Sequence, residues 1–388
     1  MIEESNFLKQ IQPSLIRVLF EKSKEIEGVV SLGIGEPEKT TPQHIIKEAK
    51  NALDEGQTHY TANLGISQLR HAIADKYKEK NIEYNSKNEI MVTCGGYEAL
   101  FCAASAFVNP GDNVVIPNPS WVGYASYVKL LGGNIIELMH DPDNNFSLDL
   151  ASLEDIFKKT SIKLMFLNSP SNPTGYAYSK EEVKSLTKIA REHNTLIIFD
   201  EVYEEFTYDG REHISPAQFD RDNVITVNSF SKSYAMTGWR VGYACGPSNY
   251  IKSMNKVHQY ATACTNTAAQ YGAVAALKSS QKVVKEMITE YDEKRKLTIK
   301  KLNEIDGITC PMPPGTFYAF PKFEIESMNS YDLSMYLLEN HKVVVIPGIV
   351  FGSKGENHFR VSYATSFDEI TEGIKRIKEG IESLVRKK

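Results

Sequence analysis

Tryptophan, excess positive charge and long apolar runs are all scarce in this chain. Of its 388 residues only Trp121 and Trp239 are tryptophan, and the formal net charge is −5. An acidic balance supplies no field for nucleic acid or for an anionic membrane surface. No stretch approaches the ~18 consecutive apolar residues that a membrane span requires. The opening MIEESNFLKQ lacks the basic region and apolar core of a secretory signal, so none is expected. Cysteines are few and odd in number (Cys94, Cys102, Cys245, Cys264 and Cys310), and no two form a C-x-x-C. That argues against a disulfide framework and against a zinc site, so no metal is expected. The cytoplasm is the simplest compartment. There is no internal repeat and no low-complexity segment.

What is present is an ordinary globular composition, 41% hydrophobic and 24% charged, in a chain long enough for two domains. Short β-branched runs alternate with helical patterns. Seven of them, at 89–94, 113–117, 134–138, 163–167, 195–199, 224–228 and 241–245, predict a mainly parallel sheet covered on both faces. The expected fold class is therefore α/β, with the large domain at 46–285. A smaller α+β domain is built from both chain ends, 1–45 and 286–388. Helices are expected at 14–28, 42–54, after the HYTANLG loop, near 149–159, at 248–279 and at 281–305, the last spanning both domains.

The stretch around which the rest is arranged is NSFSKSYAMTGWRVGY, residues 228–243. Lys232 sits in a small-residue loop at a strand end, where an amine can meet a carbonyl compound and form a Schiff base. Arg240, eight residues on, is a planar cation suited to a phosphate. Together they suggest pyridoxal 5'-phosphate, which carries both an aldehyde and a phosphate. Taken singly, each is by default a solvated surface residue. The same holds elsewhere. Gly95, Gly96 and Tyr97 open a helix whose N–H groups favour an anion, or form a plain tight turn. Asp200 and Tyr203 follow a buried strand at the edge where open α/β sheets bind ligands, or are a solvated strand end. Trp121 is by default a core residue, and Asn172 in SNPTG a turn residue.

SFSKSYAMTGWRVGY resembles the lysine segment of the class I/II aminotransferases, the fold-type-I pyridoxal phosphate enzymes, and the resemblance runs over nearly the whole chain. It implies a three-layer fold and gives each candidate a role. Lys232 would carry the cofactor and move the substrate Cα proton. Asp200 would pair with the ring nitrogen, Tyr203 and Asn172 with the phenolic oxygen, and Trp121 would stack on the ring and border the substrate. Gly95, Gly96, Tyr97, Ser229 and Arg240 would hold the phosphate. Gly35, in LGIGEP, and Arg360, in HFRVSYA, would take the substrate α-carboxylate, with Asn172 beside them. Tyr60, in a Y-x-x-x-x-G pattern, would cross to the cofactor phosphate of a neighbouring subunit, which implies a homodimer with shared sites.

KVHQY and MTGWR are similar to the aspartate, aromatic, alanine and N-acetyl-diaminopimelate aminotransferase branch. The implied reaction moves an α-amino group between an L-amino acid and a 2-oxo acid, with glutamate/2-oxoglutarate and aspartate or aromatic partners. No cation for a distal carboxylate is evident, and Tyr97 stands where some aspartate enzymes have lysine. Two other readings share the fold: a carbon–sulfur β-lyase and a cofactor-sensing regulator. The regulator needs a DNA-binding helix-turn-helix, for which the chain leaves no room and has the wrong charge.

Overall fold

The computed structural model describes residues 2–11 and 13–385. Its centre is an eight-stranded sheet. Reading across it, the strands are Ile90–Thr93, Gly242–Cys245, Val224–Ser229, Leu196–Asp200, Leu164–Asn168, Asn113–Asn118, Asn134–Asp141 and Ser147–Leu148. The five from Val224–Ser229 to Asn134–Asp141 run parallel. Gly242–Cys245 lies antiparallel to both its neighbours. All seven expected strands are there. The eighth, Ser147–Leu148, is a two-residue antiparallel addition at one edge, too short to leave a period-2 pattern.

The central strands are buried along their whole length, as a parallel sheet between two helical layers must be. Alternation divides their side chains. Ile197, Phe199, Met165 and Leu167 join the core on one face, and Ile198, Phe166, Ile225 and Val227 the core on the other. A separate core gathers Leu32, Tyr203, Phe206, Phe317, Tyr318, Val345, Phe359, Val361 and Ile377. Near the N-terminus, Val30–Ser31 pairs in parallel with Val343–Val344. Helix Lys282–Leu302 places Val284 in the sheet core and Met287, Tyr291 and Ile299 in the separate one.

Two helix expectations need correction. The span 248–279 is two helices, Ser248–Ala261 and Thr267–Lys278. Ala263 takes a left-handed φ of 62°, and Asn266 caps the second helix by accepting from the N–H of Ala269 at 2.9 Å. Apart from Ala263, the 262–267 run is Thr, Cys and Asn, with weak helix propensity and strong capping chemistry, and the cap prevailed. The first long helix stops at Lys24, short of Gly28. Among the described residues no helix is long and apolar enough to cross a membrane.

One close approach sets the sheet edge nearest the site. A Cβ on Gly242 would fall 2.6 Å from the backbone of both Gly95 and Gly96. Neither backbone can yield as a side chain does. Gly242→Ala is therefore expected to cost about 1–3 kcal/mol of stability, measured by the denaturant midpoint; an unchanged midpoint would contradict the contact.

Candidate active site

Three parallel strands end together at one edge of the sheet. Asn168, Asp200 and Ser229 are their last residues, the position where such sheets present ligand groups. The chain ends contribute from the other side: Gly33 and Gly35 follow Val30–Ser31, and Arg360 lies in the strand Phe359–Ser362. Between them is a cavity of about 550 Å³, within the range of small-molecule sites.

Gly35, Gly96, Tyr97, Trp121, Asn172, Asp200, Tyr203, Ser229, Lys232, Arg240 and Arg360 all line it. Two sequence candidates do not. Gly95 lies just behind the wall with φ at +82°, the left-handed region that favours glycine, and a Cβ there would meet the mobile guanidinium end of Arg240, Nη2 at 2.7 Å. Tyr60 stands 88% exposed on the surface.

Lys232 donates to the carbonyl of Gly35, and its Nζ lies 5.9 Å from the Tyr203 ring centre and 5.8 Å from that of Phe317. Burial, then the charge of Arg360 and more weakly Arg240, push its amine down to about 8, against the opposing pull of Glu36 and Asp200. Asp200 is nearly fully buried. It accepts from Tyr124 Oη at 2.7 Å and from the Val202 N–H at 3.1 Å. Burial pushes its carboxyl up to about 6 in spite of those bonds.

Arg360 is buried. Its Nη1 donates to Asn172 Oδ1 at 3.0 Å and its Nη2 to the carbonyl of Gly33 at 2.7 Å, over the Tyr318 ring at 4.3 Å. Its Nε has no partner among the described residues. Asn172 is itself fixed, its N–H donating to Asn168 Oδ1 at 2.8 Å. Tyr203 and Tyr318 share a hydroxyl–hydroxyl bond of 2.9 Å. Trp121 is held edge-on by Tyr97 at 4.6 Å and by Tyr124 at 5.2 Å. Ser229 Oγ accepts from the N–H of Ser231 at 3.1 Å, beside the N-terminus of helix Gly96–Phe107.

Sequence reasoning missed several wall residues. Glu36, Tyr318, Thr237 and Asn168 face the cavity, as do Ile16, Phe20 and Lys24 from helix Leu15–Lys24. Their four-residue spacing, which puts them along one helix face, was the available signal. Tyr124, three residues after Trp121, had no role in the sequence reading, yet it carries the shortest bond to Asp200, at 2.7 Å.

An α/β fold with an amine, a carboxylate and two guanidinium groups around one cleft at the sheet's carboxyl edge defines an enzyme site. The family model for class I and II aminotransferases matches residues 27–377. A probable aspartate aminotransferase of Methanocaldococcus jannaschii is 44% identical over 385 residues, covering 97% of this chain and 99% of its own. An aromatic-amino-acid aminotransferase of Thermococcus litoralis is 39% identical, with each chain covered to 97%. The solved aspartate aminotransferase of Rhizobium meliloti has a TM-score of 0.93 at 35% identity, covering 98% of this chain and 99% of that one. The chain belongs to the class I and II aminotransferases, with their fold-type-I architecture, and is an aminotransferase.

Asp200 gives a test of the site's electrostatics. Its folded carboxyl holds a proton more tightly than the free side chain, so its contribution to stability is full below about pH 4 and is lost as pH rises through about 6. Asp200→Asn removes that dependence. In ligand-free protein the variant is expected to gain on wild type by about 3 kcal/mol between pH ~4 and ~8, read from denaturant midpoints. Parallel pH curves would contradict the raised value.

Proposed function

We propose that Lys232 carries pyridoxal 5'-phosphate and that this aminotransferase passes an α-amino group from an L-amino acid, aspartate or an aromatic one, to a 2-oxo acid such as 2-oxoglutarate. The observation that carries the reading is the Lys232 amine, drawn down to about 8 in a cavity shared with Asp200 and Arg360. The residues suit the cofactor. An amine without a carboxylate partner can capture an aldehyde. The Gly96–Phe107 helix start, Ser229 and Arg240 form one anion-favouring wall. Asp200 offers a carboxylate for a protonated ring nitrogen, Asn172 and Tyr203 polar groups for a phenolic oxygen, and Trp121 a flat face for the ring.

When bound, the cofactor supplies an electron sink for the electrons left at a substrate Cα after proton loss. The chain does the rest. Arg360, with its free Nε, and Gly35 would grip the α-carboxylate and orient the Cα–H bond. Lys232 Nζ would take the Cα proton and deliver it to the cofactor carbon that receives the amino group. Asp200, fixed by Tyr124 and Val202, would keep the ring nitrogen protonated.

The names of the relatives quoted favour amino-group transfer over carbon–sulfur cleavage and over a regulatory role, and they support aspartate and aromatic substrates alike. The cavity agrees, since Ile16, Phe20, Ile34, Leu100 and Trp121 give it apolar walls. A homodimer belongs to the same reading. Tyr60 and Tyr260 are each 88% exposed, and the loop carrying Tyr60 is tied to the segment after Tyr260 through Asn63 Nδ2 to Ala263 O at 2.6 Å and Thr267 Oγ1 to His59 O at 2.8 Å. Both tyrosines would face a second copy, Tyr60 reaching its cofactor phosphate. The separate cores support a large unit over 46–285 and a small one from 1–45 and 286–388. The five free cysteines suit the cytoplasm.

Borohydride reduction of protein mixed with pyridoxal phosphate should label Lys232, and Lys232→Ala should lower amino transfer by about a thousandfold or more. A label elsewhere, or full turnover in the variant, would remove the assignment. The neutral amine is the reactive form, so capture of the aldehyde by ligand-free protein should slow about tenfold per pH unit below 8. Stopped-flow mixing across pH ~6 to ~9 should show the rate levelling near 8; a rate still climbing about tenfold per unit at pH ~9, as the ordinary lysine value of 10.5 requires, would contradict it.

A further inference from the structure

Behind Ser229 lies a buried ionic cluster that the proposed chemistry does not use. Glu204 follows Tyr203 and is almost wholly buried. Lys76 donates to its Oε1 and Lys80 to its Oε2. Burial alone would raise its carboxyl, but the two ammonium groups hold it well below the usual carboxylate range. Glu201 and His213 stand close by, near enough with Glu204 to suggest a metal. Two lysines meet the charge of Glu204 without one. Glu201 Oε2 accepts from Tyr77 Oη at 3.0 Å, while its Oε1 lies 3.3 Å from His213 Nε2, and neither of those last two atoms has a hydrogen-bond partner among the described residues.

What the cluster does reach is Asn228, whose Nδ2 donates to Glu204 Oε1 at 2.5 Å. An ionised carboxylate only accepts, so Asn228 must turn its NH₂ toward it. Its Oδ1 is then aimed the other way, where it accepts from the backbone N–H of Ser229 at 2.7 Å. Ser229 in turn fixes the turn that bears Lys232. Its Oγ caps the N–H of Ser231 and lies 3.2 Å from the carbonyl of Val241, next to Arg240.

We propose that Glu204 is a positioning residue of the phosphate-binding wall: clamped by Lys76 and Lys80, it sets the Asn228 amide, and Asn228 sets Ser229. The inference rests on the pyridoxal phosphate reading above and adds to it a residue that touches neither cofactor nor substrate. With Glu204→Gln the side chain both donates and accepts, and the orientation of Asn228 is no longer dictated.

The test uses ligand-free full-length protein titrated with pyridoxal phosphate and, separately, with pyridoxal, which has the aldehyde but no phosphate. Losing the set of one hydrogen bond to a charged group is worth about tenfold to a hundredfold in affinity. Glu204→Gln should raise the dissociation constant for pyridoxal phosphate by that factor and leave that for pyridoxal within about twofold. Lys80→Met, on the solvent side of the clamp, should show a smaller shift with the same selectivity, and it decides the matter alone if Glu204→Gln does not fold. Equal loss for both ligands, or loss of melting temperature with neither affinity changed, overturns the proposal and leaves Glu204 a stabilising residue only. Wild-type protein that fails to prefer the phosphorylated ligand overturns the underlying reading as well.

Discussion

Lys232 donates to a backbone carbonyl, that of Gly35, and not to a carboxylate. Asp200 lines the same cavity but spends its oxygens on Tyr124 and Val202. Were the two paired, the amine would rise above its ordinary value and the carboxyl would fall. Each is displaced the opposite way, to about 8 and about 6. Keeping two opposite charges in one cleft but apart is how a site retains a reactive amine together with a carboxylate free to meet a cationic ring.

The separation is a consequence of the topology. Asp200 ends a central parallel strand and cannot follow Lys232, which sits past the end of the next one. Gly35 arrives from the N-terminal segment, whose short strand is paired with Val343–Val344. Arg360 arrives from a C-terminal strand hydrogen-bonded on both sides. Nothing within one secondary-structure element brings these groups together. Three distant parts of the chain must be placed at once, and the tyrosines that fill the joint do the placing. Tyr318 stacks under Arg360 and bonds Tyr203, while Tyr124 bonds Asp200 and abuts Trp121.

That division of labour explains what could be read in advance. The strands were legible because a doubly covered parallel sheet writes itself as apolar runs. Lys232, Asp200 and Asn172 stand at strand ends or turns and Arg360 within a short strand, and all four were legible because their segments resemble those of the aminotransferase family, which gave each a role that its local setting alone left open. The break at 262–266 was readable only in its Thr, Cys and Asn composition and in Asn266 as a cap, and the small residues on either side carry a helical pattern up to it from both directions. The tyrosine contacts and the Glu204 clamp were not legible. Tyr124 and Asp200 are 76 residues apart and Lys76 and Glu204 are 128, and no local periodicity relates positions so distant. Tyr60 is a different case: its exposure fits a residue whose partner is on another chain.

Carboxylates so near the wall proposed to hold a phosphate pose an electrostatic problem, since each would repel the ligand. Glu98, in the first turn of the helix that opens at Gly96, accepts from the Cys94 N–H at 2.5 Å, from Thr262 Oγ1 at 2.7 Å and lies 2.8 Å from His258 Nδ1. Glu204 is met by two lysines and Asn228. Both acids are saturated by donors of the protein itself, and both lie behind the wall, since neither lines the cavity. The charged groups left facing inward are Lys232, Arg240, Arg360 and the helix start, opposed by Asp200 and Glu36, while the Lys24 ammonium at the rim is paired with Glu21 at 2.8 Å. The balance is cationic although the whole chain is acidic. A cavity of this size with that balance favours a ligand bearing more than one anionic group, and a phosphorylated cofactor beside an amino acid carboxylate meets that description.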